Sequence, residues 1–223
     1  MDKNKPMALF LKLKNNHILM SGFYKGVSGL SLFLSIPLLI KYFGKDNYGV
    51  WVLVFTLFQW VLLMDFGIQS SLKTKIPILL HNNQIDLIKR YIKSTYQVSI
   101  YIAFAILILF AFLIYFVDIN SLFNISSLNA VFVKKIFLIN IFFFCVTFVV
   151  NIHKSLYVSF LKGKYAEESI AINQSGFLIL IALAVFFFPD LKIENKLILV
   201  SFINGFYCLF VNLFYTFKCS IFN

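Results

Sequence analysis

Ser35-Ile36-Pro37-Leu38-Leu39-Ile40-Lys41-Tyr42-Phe43-Gly44-Lys45-Asp46-Asn47-Tyr48-Gly49-Val50-Trp51 reads as the end of one apolar helix, a tight polar turn and the start of a second apolar helix. A proline sits near the end of the first helix, and Gly, Asp and Asn supply the turn chemistry between the two. The second helix runs on to Asp65-Phe66-Gly67-Ile68, so it carries a carboxylate in its last third. An acid inside a membrane helix is costly and usually has a function.

Composition around this pair points the same way. Hydrophobic residues make up 61% of the 223 and charged residues 13%, against about 45–50% and about 25% in ordinary globular domains. Mean hydropathy is +0.87. The apolar residues fall in runs of about 18 or more, enough to cross a bilayer as helices. The fold class is therefore an all-α polytopic membrane protein, with residues 1–223 forming one membrane domain. Six transmembrane helices are expected, over about 20–41, 48–68, 96–116, 133–158, 169–188 and 197–217. The runs are continuous rather than alternating, which excludes a transmembrane β-barrel. The first run is too long for a cleaved signal peptide and lacks a clear small-residue cleavage site behind it.

Basic residues give the orientation. With the N-terminus in the cytoplasm, the inside segments hold 14 of the 20 Lys and Arg, among them Lys12, Lys14, Lys89, Arg90, Lys93 and Lys164. The outside segments hold Lys41, Lys45, Lys134, Lys135, Lys192 and Lys196. This bias places both termini inside. It also accounts for the net charge of +11 without nucleic acid as a partner, since there is no soluble basic domain. Cys145, Cys208 and Cys219 form no disulfide framework. His17, His81 and His153 are isolated, and no phosphate loop, nucleophile elbow or zinc motif occurs. No enzyme, metal or cofactor is expected.

Two segments have amphipathic spacing. In Asn83–Lys93, Ile85, Ile88 and Ile92 share a side and Asp86, Lys89, Arg90 and Lys93 take the rest; Met7–Lys14 is a shorter version. Each reads either as a helix lying on the inner leaflet or as a plain cytoplasmic loop with topogenic charge.

Polar residues in the spans recur at helical steps. Ser21, Lys25, Ser28 and Ser35 share a face of the first span, with Gly22, Gly26 and Gly29 beside them as a small stripe that admits a close neighbour helix. Asn140, Thr147, Asn151 and Lys154 do the same in the fourth span, and Ser201, Asn204, Cys208, Asn212 and Tyr215 in the sixth. The third span has almost no polar side chain after Ser99, which suits a lipid-facing or scaffold place. Stripes of this kind imply a hydrated interior, because an unsatisfied polar group in lipid costs several kcal/mol. The alternative is a dry bundle held by interhelical hydrogen bonds. Lys25 is sixteen residues below Lys41, and Asp65 eighteen below Asn47. At ~1.5 Å per residue the two lie at similar depth, where they pair, face a cavity together, or reach the interface by snorkelling.

The run from Lys25-Gly26 through Ile36-Pro37-Leu38-Leu39, Tyr42-Phe43-Gly44, Tyr48-Gly49-Val50-Trp51 and Asp65-Phe66-Gly67-Ile68 resembles the start of the bacterial polysaccharide repeat-unit flippases. These are the O-antigen and capsule exporters of the multidrug/oligosaccharidyl-lipid/polysaccharide superfamily. Leu161-Lys162-Gly163-Lys164-Tyr165 is a fainter echo. The resemblance is sharp over Lys25 to Pro77 and elsewhere only a matter of layout. It implies a transporter in the inner membrane for an undecaprenyl-pyrophosphate-linked oligosaccharide, working in lipopolysaccharide or capsule biosynthesis. On matching motif positions it implies Lys25 and Asp65 as cavity charges, a lysine meeting phosphate as a point charge. Lys154 as a further such cation, and Asn140, Asn151, Asn204 and Asn212 as hydrogen-bond partners of sugar hydroxyls, rest on the polar stripes alone. Family members have about twelve or more spans in two lobes of six, so this chain matches one lobe. A half or truncated transporter is then expected, pairing with itself or with a second-half protein.

The rivals are a multidrug-type exporter of the same superfamily, which would favour acidic cavity residues, a non-transporting membrane remnant, and a membrane glycosyltransferase, for which no long polar loop is present. The lysine bias also makes a direct forecast. A reporter active only in the periplasm, fused after Asn223, is expected to be silent; strong activity there would refute an even number of spans with both ends inside.

Overall fold

The computed structural model describes residues 17–63 and 67–221, and those residues form an all-α bundle. Helix α1 (His17–Phe43) is followed by α2 (Lys45–Leu63), α3 (Ile68–His81), α4 (Ile85–Phe116) and the single turn α5 (Ile119–Leu122). Then come α6 (Ala130–Val150), α7 (Ile152–Ser159), α8 (Gly163–Phe187) and α9 (Ile193–Ile221). Among the described residues, five stretches are long and apolar enough to cross a bilayer: Ile18–Phe43, Ile85–Phe116, Ala130–Ser159, Gly163–Phe187 and Ile193–Cys219. The protein is a multi-pass membrane protein. Of the six expected spans, the second corresponds to the 19-residue α2 and stands outside this group.

The opening turn has a simple cause. Gly44 adopts φ 78°, a left-handed conformation that costs glycine little. Its N–H donates to the Ile40 carbonyl at 2.9 Å, and its own carbonyl accepts from Tyr48 N–H at 3.0 Å, so one residue ends α1 and starts α2. The same end of the bundle is tied by Tyr42. Its hydroxyl donates to the Phe188 carbonyl at 3.1 Å, while Lys196 Nζ lies 4.7 Å above its ring and 3.3 Å from its carbonyl.

Helix α1 packs chiefly on α8, and α6 lies between α4 and α9. A larger apolar cluster includes Trp51, Val54, Ile106, Ile141, Phe148, Ile181 and Leu197. A smaller one, with Leu72, Ile76, Ile152, Leu156, Tyr157 and Tyr215, joins α3, α7, α8 and α9 at the end opposite Gly44. Helix α4 turns much of its surface outward, with Tyr101, Phe104, Ile108 and Phe112 all exposed. Such an apolar face fits lipid, as its lack of polar residues anticipates.

Two details differ from the reading of the sequence. Asn83–Lys93 is no separate interfacial helix: from Ile85 onward it is the first third of the unbroken 32-residue α4. No glycine or proline interrupts α4, so its amphipathic start must follow the axis of the span. Met7–Lys14 lies outside the described residues. Gly22, Gly26 and Gly29 face open space rather than a neighbouring helix.

Close helix approach occurs instead at Gly176 and Gly205. A Cβ at Gly205 would enter the Phe143 ring, and one at Gly176 would meet the Tyr207 phenol. Phe143 is held edge-on by Phe202 and Phe206, with centroids 5.8 and 5.0 Å away, so its ring cannot yield freely. Gly205→Ala is expected to destabilise the protein by about 1–3 kcal/mol, the usual range for overpacking. Adding Phe143→Leu should recover part of that loss. Thermal unfolding of the purified variants checks both, and an undisturbed Gly205→Ala melt would contradict the packing.

Candidate functional site

Helices α1, α2, α6, α7, α8 and α9 enclose a cavity of about 470 Å³. That is within the range of ordinary ligand pockets, about 300–1,000 Å³. Its lining changes along its length. Toward the Gly44 end it is aromatic, with Tyr48, Trp51, Phe55, Phe143, Phe144 and Phe177. Toward the α7 end it is polar, with Gln59, Asn151, Lys154, Asn173, Gln174 and Cys208. Asn140, on α6 about a turn nearer the Gly44 end than Phe143 and Phe144, and Asn204 complete the polar lining. Helix α4 contributes nothing to it.

The polar end is built on a break between α6 and α7. The helix pauses at Asn151, whose N–H still reaches the Thr147 carbonyl at 2.9 Å. The neighbouring Val150 carbonyl is taken up from the side, by His153 Nδ1 at 2.7 Å and by the Thr216 hydroxyl at 3.5 Å. Interrupted backbone at membrane depth is tolerated where protein buries it or where it lines a cavity, and here it does both. The break presents Asn151 and Lys154 to the same space. Asn151 Oδ1 is buried with no hydrogen-bond partner. Lys154 has no carboxylate within ion-pair distance among the described residues.

Cys208 gathers donors from two helices. Asn173 Nδ2 of α8 and Asn212 Nδ2 of α9 each donate to its Sγ at 3.2 Å, and the Thr147 hydroxyl of α6 lies 4.0 Å away. Nearer the centre, Asn140 Nδ2 donates to Ser201 Oγ at 3.0 Å and to the Ile136 carbonyl at 2.9 Å. The dry-bundle and hydrated-cavity readings of the stripes therefore both apply. Asn140, Ser201 and Asn212 are buried and bonded to neighbours, whereas Asn151, Lys154 and Asn204 face open volume.

Four of the seven residues singled out from the sequence, Asn140, Asn151, Lys154 and Asn204, line this cavity. Asn212 stands behind its wall, 1% exposed. Asp65 lies outside the described residues. Lys25 lies away from the cavity: its side chain is 66% exposed and its Nζ is 3.4 Å from Glu167 Oε1 of α8. Of its stripe only Ser35 reaches the cavity, because Lys25 sits nearly three helical turns closer to the α7 end. The residues missed by the sequence reading are Gln59 of α2 and Asn173 and Gln174 of α8. A signal for the second pair exists. Glu167, Ile170, Gln174 and Phe177 follow each other at steps of three, four and three, the spacing that marks the other stripes.

Comparison with known proteins gives no match: no protein-family model, no curated protein and no solved structure corresponds to this chain.

The thiol at the centre of the wall can be tested by substitution. Cys208→Val removes the acceptor of two amides, one of them buried, and is expected to cost about 1–3 kcal/mol, whereas Cys208→Ser retains an acceptor and should cost less. Thermal unfolding in detergent separates the two. Equal stability of both variants would mean that the amide contacts to sulfur contribute nothing.

Proposed function

We propose that this chain takes part in moving lipid-linked oligosaccharide repeat units across the bacterial cytoplasmic membrane for surface polysaccharide synthesis, with the phosphorylated sugar headgroup received in the cavity. The observation that carries this reading is the cavity's polar end: among the described residues it holds one lysine, four amide side chains and no carboxylate. A headgroup of this class brings anionic phosphate and many hydroxyls. A lysine answers the first as a point charge, and amides answer the second as paired donors and acceptors. The aromatic end offers apolar walls to whatever projects past them. Resemblance to the repeat-unit flippases over Lys25 to Pro77 supports the same assignment. A cationic drug would call for acidic lining residues, and there are none among the described lining residues, which ranks the multidrug reading lower. In this proposal the α7 end faces the cytoplasm, in keeping with the lysine bias. The reading includes assembly with a second copy or a second-half protein, which the resemblance implies.

Within this reading Lys154 replaces Lys25 as the cation that meets substrate. The test uses a strain lacking its own flippase, with a second half supplied where one is required. Lys154→Met should lower surface glycan about tenfold or more at normal protein abundance, the scale of one lost charge-assisted hydrogen bond of about 1.5–3 kcal/mol. Lys154→Arg should keep part of the export, and Lys25→Met should keep most of it. Full export from Lys154→Met would remove the cation from the site, and no export by the unaltered chain with its partner would favour a non-transporting role.

A further inference from the structure

We infer that the two-helix arm made of α3 and the first third of α4 is a binding surface for anionic phospholipid headgroups at the α7 end of the bundle. The inference stands apart from whatever the cavity carries, because it rests on the length of α4 and on unpaired charge.

Helix α4 has 32 residues, about 48 Å at ~1.5 Å per residue. The hydrocarbon core is about 30 Å thick, or about 20 helical residues. Its apolar stretch ends at Phe116, so the span takes up the region from about Gln97 onward, and the first dozen residues project past the core. Lys93, Arg90 and Lys89 then fall about 6–12 Å beyond the core edge. The headgroup layer occupies roughly the first 5–8 Å of that distance. Lys93 therefore lies at lipid phosphate level, and Arg90 and Lys89 lie about a turn beyond it, within a Debye length of about 8–10 Å of the anionic surface.

Helix α3 supplies two more. It packs on both α4 and α7 and joins α4 through the short turn at Asn82–Gln84. In that turn Asn83 takes φ 53° and Gln84 N–H donates to the Leu79 carbonyl at 3.0 Å. Such a connection makes an antiparallel helical hairpin. Counting back from the turn, Lys73 and Lys75 come level with the α4 trio. All five basic residues are exposed, and none forms an ion pair among the described residues. The single acid on the arm is Asp86, nearer the tip. A collar of five cations at or within about a turn of phosphate height, offset on the arm by Asp86 alone, is complementary to an anionic leaflet.

Topogenic charge alone requires these lysines to stay on one side of the membrane and makes no demand on lipid identity. The two accounts separate in purified protein. The full chain in a neutral detergent is mixed with equal amounts of phosphatidylglycerol and phosphatidylcholine, and retained lipid is quantified by native mass spectrometry. Phosphatidylglycerol is expected to be retained several-fold over phosphatidylcholine, with the preference falling as salt rises. A basic residue near an anionic surface contributes about fivefold in affinity, so Lys89→Gln/Arg90→Gln/Lys93→Gln should reduce phosphatidylglycerol retention about tenfold or more. Where that triple variant fails to fold, Lys73→Gln/Lys75→Gln and the salt titration of the unaltered chain decide, each expected to weaken retention. The exposed apolar tip gives a contrasting variant, Leu80→Ser/Leu87→Ser, which should leave the preference intact. Equal retention of the two lipids would overturn the inference. So would a charge-depleted variant that keeps the preference, or a preference lost with the tip and kept without the collar, a pattern that belongs to a protein-docking surface.

Discussion

A bilayer interior offers no hydrogen bonds, and this constraint shapes every polar side chain in the bundle. A polar group there bonds to its own or another helix or opens onto space that holds water or ligand; one left unpaired, as Asn212 Oδ1 is, carries a cost. The two solutions occur side by side. Asn140 and Ser201 close on each other, and Asn212 closes on Cys208. Nearer the α7 end, Asn151 and Lys154 open into the cavity. Outside this polar band the apolar side chains gather in a large cluster toward Gly44 and a smaller one around α7, where His153, Ser155, Ser159 and Ser169 are also buried. A bundle divided in this way is held at both ends and left penetrable between them.

The break after Val150 follows from the same constraint. An unbroken helix would carry Asn151 and Lys154 onward at the regular pitch. Pausing there releases a carbonyl, and a released carbonyl in lipid would be costly. His153 and Thr216 remove that cost from two sides. His153 is itself fully buried against the Tyr157 and Tyr215 rings. Tyr157 reaches on to the Tyr215 carbonyl at 3.0 Å, so the polar end of the cavity rests on a closely packed aromatic base.

The helical bundle was readable from hydropathy because apolar runs of span length have few alternative fates. The stripe of the fourth span was readable for a related reason: four polar residues at helical spacing in an apolar run must share a face, and that face cannot meet lipid. Spacing fixes a face but not a depth or a neighbour, which explains Lys25. It belongs to a stripe, yet its partner, Glu167, lies on a helix far away in sequence. Beginning the fifth span at Ser169 leaves Glu167 outside and hides the periodicity that leads to Gln174. The amphipathic stretch before the third span shows the limit of local pattern. Its side-chain distribution is the same whether the helix lies on the membrane or stands out of it, and only its continuity with Phe116 distinguishes the two.

That continuity makes α4 a natural depth gauge. Along one rod of uniform backbone hydrogen bonding, the first turns are bathed in water and the rest in hydrocarbon. Amide exchange along α4 should therefore change from fast to very slow within about a turn, near Tyr96, with no change in secondary structure to account for it. The position of that step reports where the membrane surface crosses the protein. Its movement along the helix would report any rise or tilt of the whole bundle in the bilayer.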